Sequence, residues 1–133
     1  MKSLKVTCAI ILHQKKILAT QRGPGMKLAG KWEFPGGKVE EGESEEACLL
    51  REIFEELNIQ ISISQRLKSY IHDYGDFQIE LIPFLADYVS GELTLREHAK
   101  FLWLLPEELK NLDWAAADIP VVEDVLGFYR TQI

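Results

Sequence analysis

Apolar positions along the chain fall into two rhythms. Residues 4–12, reading LKVTCAIIL, form a β-rich apolar run that suits a strand covered on both faces. Residues 13–16 read as its turn and Lys16–Gln21 as the returning strand of a hairpin. A loop broken by glycine and proline follows at 23–31. Residues 60–64 alternate apolar and polar positions, and the extended stretch runs on through Tyr70 and Ile71. Asp73, Tyr74, Gly75 and Asp76 make a turn, so residues 77–89 pair back as a long strand in which Pro83 predicts an edge or a bulge. After a turn at Ser90–Gly91–Glu92, residues 101–105 give a short apolar strand, and Pro106 opens a short helix. Residues 111–117 read as irregular. A last amphipathic helix begins at Asp118, Ile119 and Pro120, with Asp118 as N-cap and Val121, Val122, Val125, Leu126 and Phe128 for the core.

The helical rhythm is strongest between Glu45 and Leu57. Ala47, Leu50, Ile53, Phe54 and Leu57 predict the buried stripe, with Glu52, Glu55 and Glu56 on the opposite side. Three carboxylates at i, i+3 and i+4 repel one another and add nothing to a helix unless a cation sits among them. A hard divalent ion takes oxygen ligands of this kind, one or two carboxylates together with substrate phosphates. Ser44 is placed to cap the helix N-terminus, Glu45 and Glu46 complement its dipole, and Asn58 is able to close it in the left-handed conformation. Gly36 and Gly37, directly after Pro35, allow a tight turn and close approach of a ligand.

Composition narrows the function. With 133 residues, 47% hydrophobic and 27% charged, the chain predicts one compact domain over residues 1–133. A net charge of −6 argues against tracking the phosphates of a nucleic-acid polymer, whereas a nucleotide still binds an acidic protein if metal ions neutralise its phosphates. Cys8 and Cys48 lack metal-ligand or redox spacing and read as small buried hydrophobes. The apolar run near the start is too short for a membrane span and leads to no cleavage site, which predicts a cytoplasmic protein without membrane attachment.

Gly37, Glu43, Arg51, Glu52, Ile53, Glu55, Glu56 and Ile59 resemble the Nudix box, G-x5-E-x7-R-E-U-x-E-E-x-G-U with U aliphatic, over residues 37–59. The one departure is Asn58, where the family pattern has glycine. The approach WEFPGG (Trp32 to Gly37) and the segment EHAKFLWLLPEEL from Glu97 extend the resemblance to MutT-type members over nearly the whole chain. It implies an α/β fold, an α/β/α sandwich around a mixed, curved sheet, and Mg²⁺-dependent hydrolysis of a nucleoside diphosphate linked to another group, with Mn²⁺ as a substitute ion. It also implies metal ligands at the Gly36 carbonyl, Glu52, Glu55, Glu56 and Glu97. Arg51 is expected to orient the helix carboxylates through a bidentate pair with Glu43. Glu55, Glu56 and Glu97 are the alternatives for the general base. Substrate contacts fall on Arg22, the backbone of Glu33, Phe34, Pro35 and Gly36, and on Phe77 and Asp118. Trp32 reads as core and His98 as a residue that orders its loop.

Three functions follow. The leading one is a (deoxy)nucleoside triphosphate pyrophosphohydrolase preferring 8-oxo-dGTP and cleaning the nucleotide pool. The second prefers CTP or 5-methyl-dCTP. MutT enzymes read 8-oxoguanine with an asparagine where this chain has Asp118, and an ionised aspartate only accepts hydrogen bonds. The third is a non-catalytic nucleotide or ADP-ribose sensor, which the full set of box glutamates argues against. The partner is a small molecule, and the chain itself is a monomer or small homo-oligomer.

Overall fold

A computed structural model describes residues 2–130, organised on a mixed eight-stranded sheet. β1 (Lys2–His13) and β2 (Lys16–Gln21) form the expected hairpin, closed by Gln14 and Lys15 at φ 51° and 69°. Those angles are the two-residue turn whose twist matches its strands. β3 (Trp32–Glu33) adds to β2, and β4 (Gly36–Lys38) runs antiparallel to β1. Helix α1 (Glu45–Leu57) is followed by β5 (Gln60–Arg66), β6 (Tyr70–Asp73) and β7 (Phe77–Ser90). β7 runs parallel to β1 from Lys2↔Phe77 to Leu12↔Asp87, and its other edge takes β5 and β6 antiparallel. β8 (Lys100–Leu104) returns to β2, and two 3-10 turns (Pro106–Asn111 and Ala116–Asp118) lead into α2 (Ile119–Arg130). No described helix is long and apolar enough to cross a membrane.

Alternation along β1 and β2 makes the sandwich. Cys8, Ile10, Ile17 and Ala19 face α2, where Val121, Val122, Val125 and Leu126 are buried. Ala9, Ile11 and Leu18 face α1, against Leu49, Ile53 and Leu57. Phe128, expected in the core, is half exposed.

The helix α1 is rolled from its expected setting. It buries Cys48, Leu49, Ile53 and Leu57, and leaves Ala47, Leu50 and Phe54 in solvent. The inward arc therefore includes positions 52 and 56, and both glutamates lie beside the core rather than opposite it. Gly37 makes this possible, because a Cβ there would stand 2.2 Å from the Glu52 carboxyl carbon. Gly36 and Gly37 thus serve a close approach within the protein: they lie in a strand, not a turn.

The helix ends agree with the sequence. Ser44 Oγ accepts the Ala47 N–H at 3.1 Å, and Asn58 takes φ 60° and ψ 28° while donating its N–H to Phe54. Pro83 stands in an interior strand, at the junction where β5 ends (Arg66↔Phe84) and β6 begins (Tyr70↔Leu81). Its missing N–H falls where the partner strand changes, and its carbonyl accepts Leu67 N–H at 2.8 Å.

Gly36 lies so close to β1 that an added Cβ would sit 2.0 Å from the Thr7 carbonyl oxygen, which is backbone and has no rotamer to escape into. Gly36→Ala is expected to destabilise the fold by about 2–3 kcal/mol. Urea unfolding checks this; an unchanged midpoint would show that β4 is free to move off β1.

Candidate functional site

Between the sheet, the start of β4 and α1 lies a cavity of about 570 Å³. Gly36, Gly37, Glu52, Glu56 and Glu97 line it, as do Arg22, Glu33, Phe34, Phe77 and Asp118. Ten residues distant in sequence are thereby gathered on one surface. Pro35, Arg51 and Glu55 are not part of that lining. Pro35 gives its carbonyl to Ala9 N–H at 2.8 Å, and Glu55 lies on the open side of the helix.

The acidic wall is organised by Arg51. Its Nε and Nη2 donate to the two oxygens of Glu43 at 2.7 and 3.0 Å, the bidentate pair expected from the sequence. Nη1 donates to Glu52 at 3.0 Å and to Glu55 at 3.3 Å. The Glu43 carboxyl is held down at about 2 by the Arg51 hydrogen bonds. Burial pushes Glu52 and Glu56 the other way, above the usual carboxylate range, and the charge of Glu97 adds to the effect on Glu56. Glu56 Oε2 is buried with no hydrogen-bond partner among the described residues. Two partly buried, mutually repelling carboxylates and an unsatisfied carboxylate oxygen fit a cation as the missing partner. Among the described residues no three acidic, cysteine or histidine groups have already converged as a shell, since Glu52 and Glu55 turn towards Arg51.

The second group surrounds Asp118. Its side chain does not cap α2; Oδ2 crosses to accept the Phe34 N–H at 2.9 Å. Asp118 is 5% exposed. Burial, reinforced by the charge of Glu33, pushes its carboxyl up to about 8. This corrects the acceptor-only reading: at neutral pH the group keeps its proton. Arg22 donates to Glu33 at 2.6 Å and to the Lys27 carbonyl, closing the 23–31 loop on itself. The Phe34 ring is buried against Trp114 at 4.7 Å between centroids, so it is packed into the wall and is not free to stack on a base. Trp32 is core as expected, its backbone joined to Trp114 and its neighbours. Phe77 is half-buried, stacked on Tyr74 at 5.5 Å, with Lys27 Nζ 5.2 Å over its ring. Lys27 and His98 line the cavity without having been singled out for it from the sequence. The signals for His98 were its place beside Glu97 and in the segment EHAKFLWLLPEEL, where it reads as a residue that orders its loop.

A carboxyl whose pKa rises on folding binds more protons in the folded state, so stability falls as pH climbs from the unfolded value towards about 8. Wild type should lose up to about 1.4 kcal/mol per pH unit through that window relative to Asp118→Asn, which keeps an acceptor for Phe34 and has no charge to bury. Melting curves of both proteins from pH 5 to 9 check this; parallel curves would mean that Asp118 is already ionised when folded.

The NUDIX domain family model matches residues 1–125. The chain is 38% identical over 123 residues to the CTP pyrophosphohydrolase of Escherichia coli (strain K12), covering 92% of this chain and 91% of that one. It is 31% identical over 123 residues to the 8-oxo-dGTP diphosphatase of the same organism, covering 92% and 95%. The crystal structure of the MutT protein from Methanosarcina mazei Go1 superposes with a TM-score of 0.85 at 25% identity, covering 93% of each chain. The mixed sheet between two helices has the same architecture, Glu52 and Glu56 turn onto a cavity at its side, and the chain belongs to the Nudix family of hydrolases.

Proposed function

We propose that this chain is a Mg²⁺-dependent nucleoside triphosphate pyrophosphohydrolase, converting a triphosphate and water into the monophosphate and pyrophosphate. The observation that carries this reading is the gathering of two groups around one cavity: the Glu52 and Glu56 carboxylates of α1, with one Glu56 oxygen unsatisfied among the described residues, and a hydrogen-bonding floor at Asp118.

Glu52, Glu56 and the Gly36 carbonyl would hold the ion, with Glu55 released from Arg51 and Glu97 completing the set; Mn²⁺ is the expected substitute. Such an ion neutralises charge on the phosphate oxygens and leaving group. Arg51 keeps Glu52 aimed inward while Glu43 absorbs its remaining donors. Glu97, on the loop after β7 and near enough to Glu56 for their charges to interact, is assigned the proton of the attacking water. Arg22, Glu33 and Phe77 shape the nucleotide end, Phe34 contributes its backbone through Asp118, and Pro35, outside the lining, ties this stretch to β1.

Asp118 decides the base. A neutral carboxylic acid presents one donor and one acceptor side by side, the same pair that an asparagine amide presents. That pair complements the O6 and N7–H edge of 8-oxoguanine but not the two acceptors, O6 and N7, of guanine. It complements the N3 and N4–H₂ edge of cytosine equally well. An oxidised guanine nucleotide is the leading substrate, because the cavity has room for a purine. CTP or 5-methyl-dCTP is the second reading, favoured by the 38% identity to a CTP pyrophosphohydrolase. A preserved acidic cluster speaks against a pure sensor.

Pyrophosphate release with Mg²⁺ from 8-oxo-dGTP, dGTP, CTP and 5-methyl-dCTP, compared as kcat/KM, tests the reading. Equal rates for 8-oxo-dGTP and dGTP would sink the assigned role of Asp118. The discrimination is expected at pH 7, to fade as pH passes about 8 in the wild type, and to persist to pH 9 in Asp118→Asn, whose donor does not ionise. Glu56→Gln should lower Mg²⁺-dependent kcat by at least about a hundredfold with an unchanged melting temperature. Wild-type turnover by that variant would remove Glu56 from the ion site.

A further inference from the structure

We infer that His98 is a positioning residue of the nucleotide site, holding the Glu33 carboxylate in the orientation in which it frames the base end of the cavity with Arg22. The inference rests on the nucleotide-hydrolase reading above and adds a residue to it.

The loop after β7 is fastened by its backbone. Thr94 N–H donates to Leu57 O at 3.0 Å and Arg96 N–H to Glu56 O at 3.2 Å, two carbonyls at the C-terminal end of α1 that a helix leaves open. Ala99 N–H donates to Gln21 O at 2.9 Å, and the Glu97 carbonyl presses on Gly23, where a Cβ would come within 2.0 Å. None of these contacts uses the His98 side chain, so the loop is placed without it. The imidazole is nevertheless turned inward with 3% of its side chain exposed, and its buried Nδ1 has no hydrogen-bond partner among the described residues. Desolvating a ring nitrogen without a bond lowers stability. A residue that merely ordered its loop would give no reason for that burial.

Among the described residues the ring makes one hydrogen bond, between Nε2 and Glu33 Oε2 at 2.8 Å. Arg22 Nη1 takes the other oxygen, Oε1, at 2.6 Å. Paired to Arg22, the Glu33 carboxylate is an acceptor, so Nε2 carries the proton of this bond. Two donors on two oxygens fix the plane of the carboxylate, which a single salt bridge leaves free to rotate. Glu33 in turn lies near enough to Asp118 for its charge to act on that carboxyl. His98 thereby governs substrate binding and base preference through Glu33, and the hydrolytic step only indirectly.

A pair of substitutions separates the two nitrogens. Gln places an N–H near the position of Nε2, whereas Asn reproduces only the Nδ1 side. His98→Gln should keep KM and base preference within about twofold of wild type, while His98→Asn raises KM about tenfold and changes kcat less than about threefold, the loss of one charge-assisted hydrogen bond. In a double-mutant cycle with Glu33→Gln, the His98→Asn effect should largely vanish. Equal behaviour of the two variants, a fall in kcat at constant KM, or additivity with Glu33→Gln would each overturn the inference. Imidazole ¹⁵N shifts of the wild-type protein give a check that needs no variant: a protonated Nε2 is expected, and a bare Nε2 would overturn the inference. If the wild type turned over no triphosphate, the function proposed above would fall, and the protonation of Nε2 and calorimetric nucleotide affinities of the same variants would still decide the role of His98.

Discussion

Everything about the candidate site depends on how one guanidinium is shared. A helix that turns Glu52 and Glu56 towards a core is electrostatically unfavourable, and α1 carries Glu55 between them. Arg51 answers this from the same helix, with a bidentate grip on Glu43 and a third donor on Glu52. Because Glu43 satisfies most of the fork, Arg51 lowers the repulsion without neutralising the wall. Burial, reinforced by the charge of Glu97, leaves the Glu56 carboxyl above the ordinary range, and one of its oxygens has no partner among the described residues. A lysine, a point charge without the planar fork, would not divide itself this way.

The sheet supplies the second half of the arrangement. Parallel pairing of β1 with β7 places two long strands at the centre, buried on both faces by α1 and α2. On that rigid floor, β4 is held against β1 by glycines whose lack of Cβ lets backbone meet backbone at Thr7 and lets Glu52 fold in beside Gly37. The same glycines that resemble a ligand-binding turn in the sequence therefore act first as spacers within the protein. Through β3 and β4 the strand register carries Glu33 to the Asp118 end and Gly37 to the carboxylate end, only a few residues apart. His98 lines the same cavity and is bonded to Glu33.

Much of this was legible in the chain itself. Strand alternation and the hairpins at Gln14–Lys15 and Asp73–Asp76 are local properties, set by side-chain period and turn chemistry. Ser44 and Asn58 cap α1 because capping is decided within one turn of the helix end. The Arg51–Glu43 pair was readable because both residues lie in one loop–helix unit. The roll of α1 was not readable. Ile53 and Leu57 are buried as the stripe predicts, but Ala47, Leu50 and Phe54 are not, and only the sheet beneath, with space left at Gly37, selects Cys48 and Leu49 in their place.

What the sequence determined by itself was the set of elements and the acidic chemistry of one helix, because both follow from spacings of a few residues. What the tertiary structure alone decided was the state of individual groups. Asp118 reads as an ionised helix cap until burial and the charge of Glu33, 85 positions earlier in the chain (118 − 33), make it a neutral acid bonded to Phe34. His98 reads as a loop residue until its ring meets Glu33. Pro83 reads as an edge or a bulge until two partner strands are seen to change beside it. In each case the deciding quantity is desolvation, or a partner brought from far along the chain, and neither is encoded in local pattern.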